Sequence, residues 1–397
     1  MRRSATPGRR ARGGPKLLLY SHDTVGLGNV RRTLLLAYAL AHEVPDASVL
    51  IVTGSPMVHA LQMPVGVDYV KLPELHRPLR GVYEARALVS RTREVKRARR
   101  EILQATARSF DPDLVLVDKS AGGVGGELLP ALDDLHRRGR ATLVLGMRDV
   151  LDAPERTRAA LQRSGGFDAM ERFYQEVWIY GSACVFDAAK EYAFPAPVAA
   201  KTRYCGYLGT PPGRGGRPLG APGVLVTVGG GHDGAQVVQT YLEGLREFTV
   251  PGSLRSVVVL GPQMPASARS VLLRRHRGTP GVRFEDFRTS MDPLYAGADA
   301  VVGMAGYGTV CELLSRRRRA VLVPRAEPVS EQTIRARRLA QLGLFSTIEW
   351  SELSPERLMA AVFRTLDGPP PRVEGLELHG LREVRRRARA LLDGRAA

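Results

Sequence analysis

A chain of 397 residues exceeds one ordinary domain, and two or three are expected. With 44% hydrophobic and 25% charged residues it carries enough apolar material for sizeable cores, which excludes a disordered or low-complexity chain. The formal charge of +18 would suit an acidic partner, but only six of the 58 basic residues are lysine and the arginines are spread along the chain, so coding bias is the preferred explanation.

The N-terminal stretch 1–14 is basic, lacks an apolar run behind it and reads as a disordered tail without a signal peptide. Short apolar runs then alternate with longer amphipathic segments. Strands are expected at 17–20, 48–53, 68–71, 114–117, 142–147 and 176–179, with helices at 30–41, 81–110, 126–137 and 156–165. The alternation breaks at 206–223, where 11 of 18 residues are Gly or Pro, which marks a linker. It resumes with strands at 224–228, 256–260, 282–285, 300–303, 320–324 and 346–350. Helices are expected at 235–248, 266–277, 291–297, 307–314, 330–342 and 355–366, and a basic amphipathic helix at 381–393 closes the chain. The expected architecture is α/β: two doubly wound, Rossmann-like domains at 15–205 and 224–380, facing across a cleft. No run of about 18 apolar residues predicts a membrane span. Cys184, Cys205 and Cys311 show neither zinc nor disulfide spacing, which suits a reduced, cytoplasmic compartment.

In such folds ligands sit beyond the C-terminal strand edges, beside helix N-termini. Four loops occupy those places. The first, Ser21–Arg31, reads SHDTVGLGNVR. Gly26 and Gly28 allow close backbone approach, and His22 and Asp23 stand at the strand end, so an acceptor or phosphate site is expected there. The second, VGGGHDG at 228–234, matches the dinucleotide spacing, but the next strand ends in Gly261-Pro262 with no acidic residue for a ribose, so NAD is rejected. The bare amides of Gly230 and Gly231 can still cradle a diphosphate. The third, GMAGYGTVCE at 303–312, brings Gly306 and Gly308 to a bend, with Thr309 and Glu312 on one helix face. Glu312 suits a ribose diol; the competing reading is a capping box with Thr309 as N-cap. The fourth, RAEPVSEQTIR at 325–335, places Glu331 and Gln332 in a first helical turn, with Arg335 spaced to pair with Glu331.

At these residues the chain resembles a known family. GYGTVCELL, VLVPR and EQTIRARRLAQLGL have the order and spacing of the C-terminal domain of glycosyltransferase family 28, which contains the peptidoglycan N-acetylglucosaminyltransferase. SHDTVGLGN, LVDKSAGGVGGEL and LGMRDVLD are similar to motifs of an uncharacterised bacterial group of predicted glycosyltransferases, and the likeness covers residues 16–365. The resemblance implies a GT-B fold with the nucleotide-sugar donor in the second domain. Glu312 would then hold the ribose. Gly306, Tyr307 and Thr309 would line diphosphate and ribose, Arg288 would offer backbone to the base, and Glu331 with Gln332 would touch sugar and phosphate. Two departures stand out. Glu331 replaces a glutamine of the peptidoglycan enzyme, and Asn29 replaces a histidine of the bacterial group.

The expected reaction is inverting, metal-independent hexosyl transfer from a nucleotide sugar, expected to be UDP-linked, to an unidentified acceptor, lipid-linked or an aglycone. No cofactor is implied. Because Asn29 takes no proton near neutral pH, His22, Asp23 or Asp118 is the expected base. The alternatives are a nucleotide-sugar 2-epimerase on the same fold and a binding protein with weakened catalysis. Peripheral contact with an anionic inner membrane face suits the basic surface. Nucleic-acid binding is disfavoured, since Arg316–Arg319 and Arg385–Arg387 lack interleaved aromatics.

Overall fold

A computed structural model describes residues 14–21, 28–78, 82–89, 91–210, 223–286, 288, 290–325, 327 and 329–394. In the first half the elements run β1 (Lys16–Ser21), α1 (Gly28–Glu43), β2 (Ser48–Thr53), β3 (Val67–Lys71), a two-residue pair β4 (Leu75–His76) and β5 (Glu84–Ala85), α2 (Thr92–Phe110), β6 (Leu114–Asp118), α3 (Leu129–Arg138), β7 (Thr142–Arg148), α4 (Pro154–Arg163), α5 (Gly166–Phe173), β8 (Glu176–Tyr180), α6 (Ala188–Glu191), α7 (Ala196–Ala200) and β9 (Thr202–Tyr204). The second half runs β10 (Gly223–Thr227), α8 (Ala235–Phe248), β11 (Arg255–Val259), α9 (Ala266–His276), β12 (Val282–Glu285), α10 (Asp292–Gly297), β13 (Ala300–Gly303), α11 (Tyr307–Ser315), β14 (Arg319–Leu322), α12 (Glu331–Gln341), β15 (Ser346–Thr347), α13 (Pro355–Asp367) and α14 (Gly380–Asp393).

Two parallel sheets result. The first has the order β3-β2-β1-β6-β7-β8-β9 and the second β12-β11-β10-β13-β14-β15. Both are doubly wound, and the order reverses between β1 and β6 and again between β10 and β13. A crevice opens at each of these switch points. The central strands are apolar runs buried on both faces, as helix-covered parallel strands must be: all five residues of β6 and of β10 are buried.

The predicted helix at 81–110 is shorter in the structure, because α2 starts only at Thr92. Its buried stripe of Val95, Arg99, Leu103 and Ala107 repeats every four residues and has no counterpart upstream, where Leu88 and Val89 are exposed. Arg99 can lie in that stripe because Glu127 accepts two hydrogen bonds from it, at 2.6 and 2.7 Å, and a third from the Tyr20 hydroxyl at 2.8 Å. This buried group anchors the glycine-rich turn after β6, where Gly123, Gly125 and Gly126 all have positive φ.

The last helix, α14, returns to the first half and packs on α1 through Val384 and Ala388. Its basic run is engaged within the fold: Arg385 pairs with Glu43, Arg386 with Glu383, and Arg387 with Glu176 and Glu383. Most of the predicted linker, 211–222, lies outside the described residues. Its first part is not a loose tether. Tyr207 and Leu208 are buried, and the Tyr207 ring stacks on Tyr307 with centroids 6.2 Å apart. Among the described residues no helix is long and apolar enough to cross a membrane.

Candidate active site between the two sheets

Strand ends from the two sheets meet across one junction. One contact joins Arg335 on α12 to Asp149, the first residue past β7. Both are completely buried, and the guanidinium donates to both carboxylate oxygens at 2.7–3.2 Å. Arg335 also donates to the carbonyls of Ala305 and Val150, and the Tyr207 hydroxyl donates to Asp149. Beside this pair, Arg148 at the end of β7 binds Glu331 at the start of α12, at 2.5 Å. Asp152 accepts from the backbone amide of Ser330 at 2.9 Å. The motif LGMRDVLD therefore clasps the N-terminal turn of α12. The sequence spacing had offered Arg335 as the partner of Glu331. That pairing is corrected: each takes a partner from the opposite half.

Burial alone would raise the Glu331 carboxyl. Arg148, with Arg335, Lys119 and Arg325 behind it, overrides this and holds it below the usual carboxylate range. Its neighbour Gln332 is nearly buried and accepts from the amide of Arg325 at 3.4 Å. Arg325 in turn binds Asp233 at 2.5 Å, which ties the second and fourth loops together.

A second contact centres on Arg32 of α1. Its guanidinium donates to both oxygens of Asp118 at 2.7–3.0 Å and to the side-chain oxygen of Asn29 at 3.0 Å. Asp118 stands at the end of β6 but is buried with both oxygens engaged. As an available base it is corrected to the anchor of Arg32. The Arg32 guanidinium lies 5.8 Å from the Tyr307 ring, and Arg335 stands at the same distance from that ring. The Tyr307 ring therefore belongs to the junction, and only its backbone remains for a nucleotide. His22, Asp23 and Gly26 lie outside the described residues. Gly28 and Asn29 open α1, with Gly28 exposed.

The donor-side residues gather around α11. The helix begins at Tyr307 with Gly306 as N-cap, so Thr309 is not the cap and the capping box does not form. No side chain caps the first turn. Glu312 keeps 24% side-chain exposure. It accepts from the Thr210 hydroxyl at 3.1 and 3.2 Å and pairs with Arg316, which also binds Asp292. Burial raises the Glu312 carboxyl above its ordinary range, against the pull of Arg316 and the Thr210 hydrogen bond. Arg288 folds its side chain back on Glu285. Gly230 and Gly231 form a turn braced on the next strand, and a Cβ at Gly231 would come within 2.3 Å of the Leu260 carbonyl. Packing alone therefore requires a glycine at 231. Ser330 is the N-cap of α12 by position, without a side-chain cap bond.

Asp111 caps α2 in a left-handed conformation and pairs with Arg138 and Arg140, while Asp113 accepts from the amide of Lys16. Both have structural work before β6. Arg316–Arg319 are likewise engaged: Arg317 pairs with Glu374, and Arg318 and Arg319 donate to the carbonyls of Ala298 and Leu366.

Residues 224–372, which contain the second sheet and α11, match the glycosyltransferase family 28 C-terminal domain. Over 343 residues the chain is 26% identical to the UDP-N-acetylglucosamine–N-acetylmuramyl-(pentapeptide) pyrophosphoryl-undecaprenol N-acetylglucosamine transferase of Symbiobacterium thermophilum, covering 85% of each protein. The chain is a GT-B glycosyltransferase. The solved MurG structure of Acinetobacter baumannii aligns with this glycosyltransferase at a TM-score of 0.55 and 18% identity, over 96% of this chain and 98% of that one. A UDP-N-acetylglucosamine 2-epimerase aligns at 0.63 and 10% identity, over 96% of both chains. Likeness at these identities is one of fold alone. The family match over 224–372 separates the glycosyltransferase from the epimerase.

Sequence reasoning did not single out Arg32, Lys119, Arg148, Asp149, Asp152 or Thr210. Four of these, Lys119, Arg148, Asp149 and Asp152, lie inside LVDK and LGMRDVLD, so the signal was present without its partners.

Proposed function

We propose that this glycosyltransferase moves a hexose-type sugar from a UDP-linked donor, bound in the second half, to an acceptor hydroxyl presented by the first half. The observation that carries the reading is Glu312. It lies on α11 past a glycine-lined bend at the end of β13, inside the family 28 domain, with a partly exposed carboxylate. An ionised carboxylate there can accept two hydrogen bonds from a ribose diol. The uncapped first turn of α11 offers amides to a diphosphate. Charge grows on that diphosphate as it leaves, and fixed positive groups around it lower the barrier most. No step in this account calls for a metal ion. Direct displacement from the far side of the sugar inverts the anomeric centre.

The relative from Symbiobacterium is named for a UDP-N-acetylglucosamine donor and a pyrophosphoryl-undecaprenol acceptor, which supports a UDP sugar and a lipid-linked acceptor here. Exposed Leu88 and Val89 beside Arg86 and Arg91 suit shallow contact with an anionic membrane face, and salt-sensitive binding to anionic vesicles is its measure.

A thermal-shift screen of UDP, GDP and dTDP compounds tests the donor. A ligand that binds only the folded state stabilises it by mass action, by about 2.7 kcal/mol at a hundred times its Kd. UDP and UDP sugars are expected to raise the melting temperature selectively. An equal response to all three nucleotides, or none, contradicts the reading.

A further inference from the structure

Transfer to a hydroxyl requires a group that takes its proton. Asn29 accepts none near neutral pH, both oxygens of Asp118 already accept from Arg32, and His22 and Asp23, the other expected bases, lie outside the described residues. The next residue in the chain is Lys119. It is the first residue past β6, at the switch point of the first sheet. Its backbone is left-handed, with φ of 70°, a conformation that a residue other than glycine adopts only under strain. Two hydrogen bonds hold it there: its own amide to the Gly146 carbonyl at 2.7 Å, and the Ser120 amide to the Asp118 carbonyl at 2.8 Å. Strain held by the surrounding backbone is typical of positions kept for function. Among the described residues the Lys119 ammonium has no hydrogen-bond partner. The charged groups facing it are Arg148 at the end of β7, Glu331 from the opposite half, Arg77 past β4, and its neighbour Asp118.

We propose that Lys119 is the general base that takes the proton from the acceptor hydroxyl. This rests on the reading of the cleft as a sugar-transfer site. The neutral amine takes the hydroxyl proton and becomes an ammonium. The acceptor oxygen forms a bond to the anomeric carbon. The bond from that carbon to the diphosphate oxygen breaks, and its electron pair leaves with the nucleoside diphosphate. The ammonium then returns its proton to water. Burial depresses the amine first, Arg148 adds to it and Arg77 reinforces it, while Glu331 and Asp118 oppose them; the balance lies at about 8. A base with that value works near neutral pH. Because the neutral form is the active one, the rate rises with pH through about 8 and levels off above it.

The test uses the full chain with UDP-N-acetylglucosamine and UDP-glucose, water as acceptor and UDP release as readout. Lys119→Arg keeps the positive charge but cannot release its proton, so UDP release should fall by about 100-fold or more. Lys119→Gly removes the backbone strain, so its melting temperature should not drop, and added ethylamine should restore part of its rate. Arg148→Gln should move the pH limb upward and Glu331→Gln downward. With only six lysines in the chain, 13C-labelled lysine resolves the Lys119 titration directly by NMR. Two results overturn the assignment alone: Lys119→Arg retaining more than half of the wild-type rate, or a Lys119 midpoint at the ordinary value of about 10.4. A wild type that releases no UDP from either donor overturns the donor reading, and the base with it.

Discussion

Asp149→Ala is expected to destabilise the chain by about 3–5 kcal/mol, the usual cost of leaving one member of a buried ion pair without its partner. Arg335 is completely buried and donates to both oxygens of Asp149. Its remaining acceptors, the carbonyls of Ala305 and Val150, are neutral. Water cannot reach the exposed charge without opening the junction. The pair also joins the two sheets, so its loss should separate one unfolding transition into two, the second half melting apart from the first. The double variant Asp149→Leu with Arg335→Met should recover much of the loss, since apolar groups of similar volume commonly replace a buried pair at little net cost. Chemical denaturation followed by tryptophan fluorescence reads both effects, because Trp178 lies in the first sheet and Trp350 in the second half. A loss below about 1 kcal/mol, the range of exposed pairs, would show that the junction is not closed in solution.

Glu312→Ala is expected to weaken UDP binding by roughly 10–100-fold. A hydrogen bond to a charged group contributes about 1.5–3 kcal/mol, and each 1.4 kcal/mol is tenfold in affinity. Two such bonds from a ribose diol would give more. Glu312 must first release the Thr210 hydroxyl and loosen from Arg316, however, and that exchange reduces the gain. A nucleotide lacking the 2′-hydroxyl separates the ribose contact from a general loss of structure. Wild type should prefer UDP over dUDP, and Glu312→Ala should bind the two alike. Glu312→Gln retains the shape and two hydrogen-bonding atoms but loses the charge, and an intermediate affinity is expected. Titration calorimetry measures each case.

Much of the fold was legible because hydrophobic period and turn chemistry are local. Four strands or helices, at 48–53, 235–248, 282–285 and 300–303, match their predicted bounds, and most others differ by one or two residues. The exceptions have physical causes. The segment 81–91 has a helix-permissive composition, but its described residues carry no buried stripe, and Glu84–Ala85 within it pair as β5 with β4. β9 is only three residues long, too short for any alternation to register, and depends on β8 for its pairing. α5, which was not expected from the sequence, follows α4 across Gly165 in a left-handed conformation.

The site was less legible because its chemistry depends on partners far apart in the chain. Arg32 and Asp118 are separated by 86 residues and Arg335 and Asp149 by 186. Spacing along a helix suggested Glu331 with Arg335, and the fold instead supplied Arg148 and Asp149. Asp118 had the residue type of a base and the position at a strand end, yet its occupancy by Arg32 is a tertiary fact. Tyr307 fits a nucleotide loop by sequence, but its ring fills the junction between two guanidiniums.

The central claim is that UDP binds in the second half with its ribose on Glu312, and a crystal structure of the chain grown with UDP tests it most directly. Both ribose hydroxyls are predicted within about 3 Å of the Glu312 carboxylate, the range of a charge-assisted hydrogen bond, with the Thr210 hydroxyl displaced and the diphosphate at the first turn of α11. UDP bound elsewhere, with Glu312 still held by Thr210 and Arg316, would contradict the account.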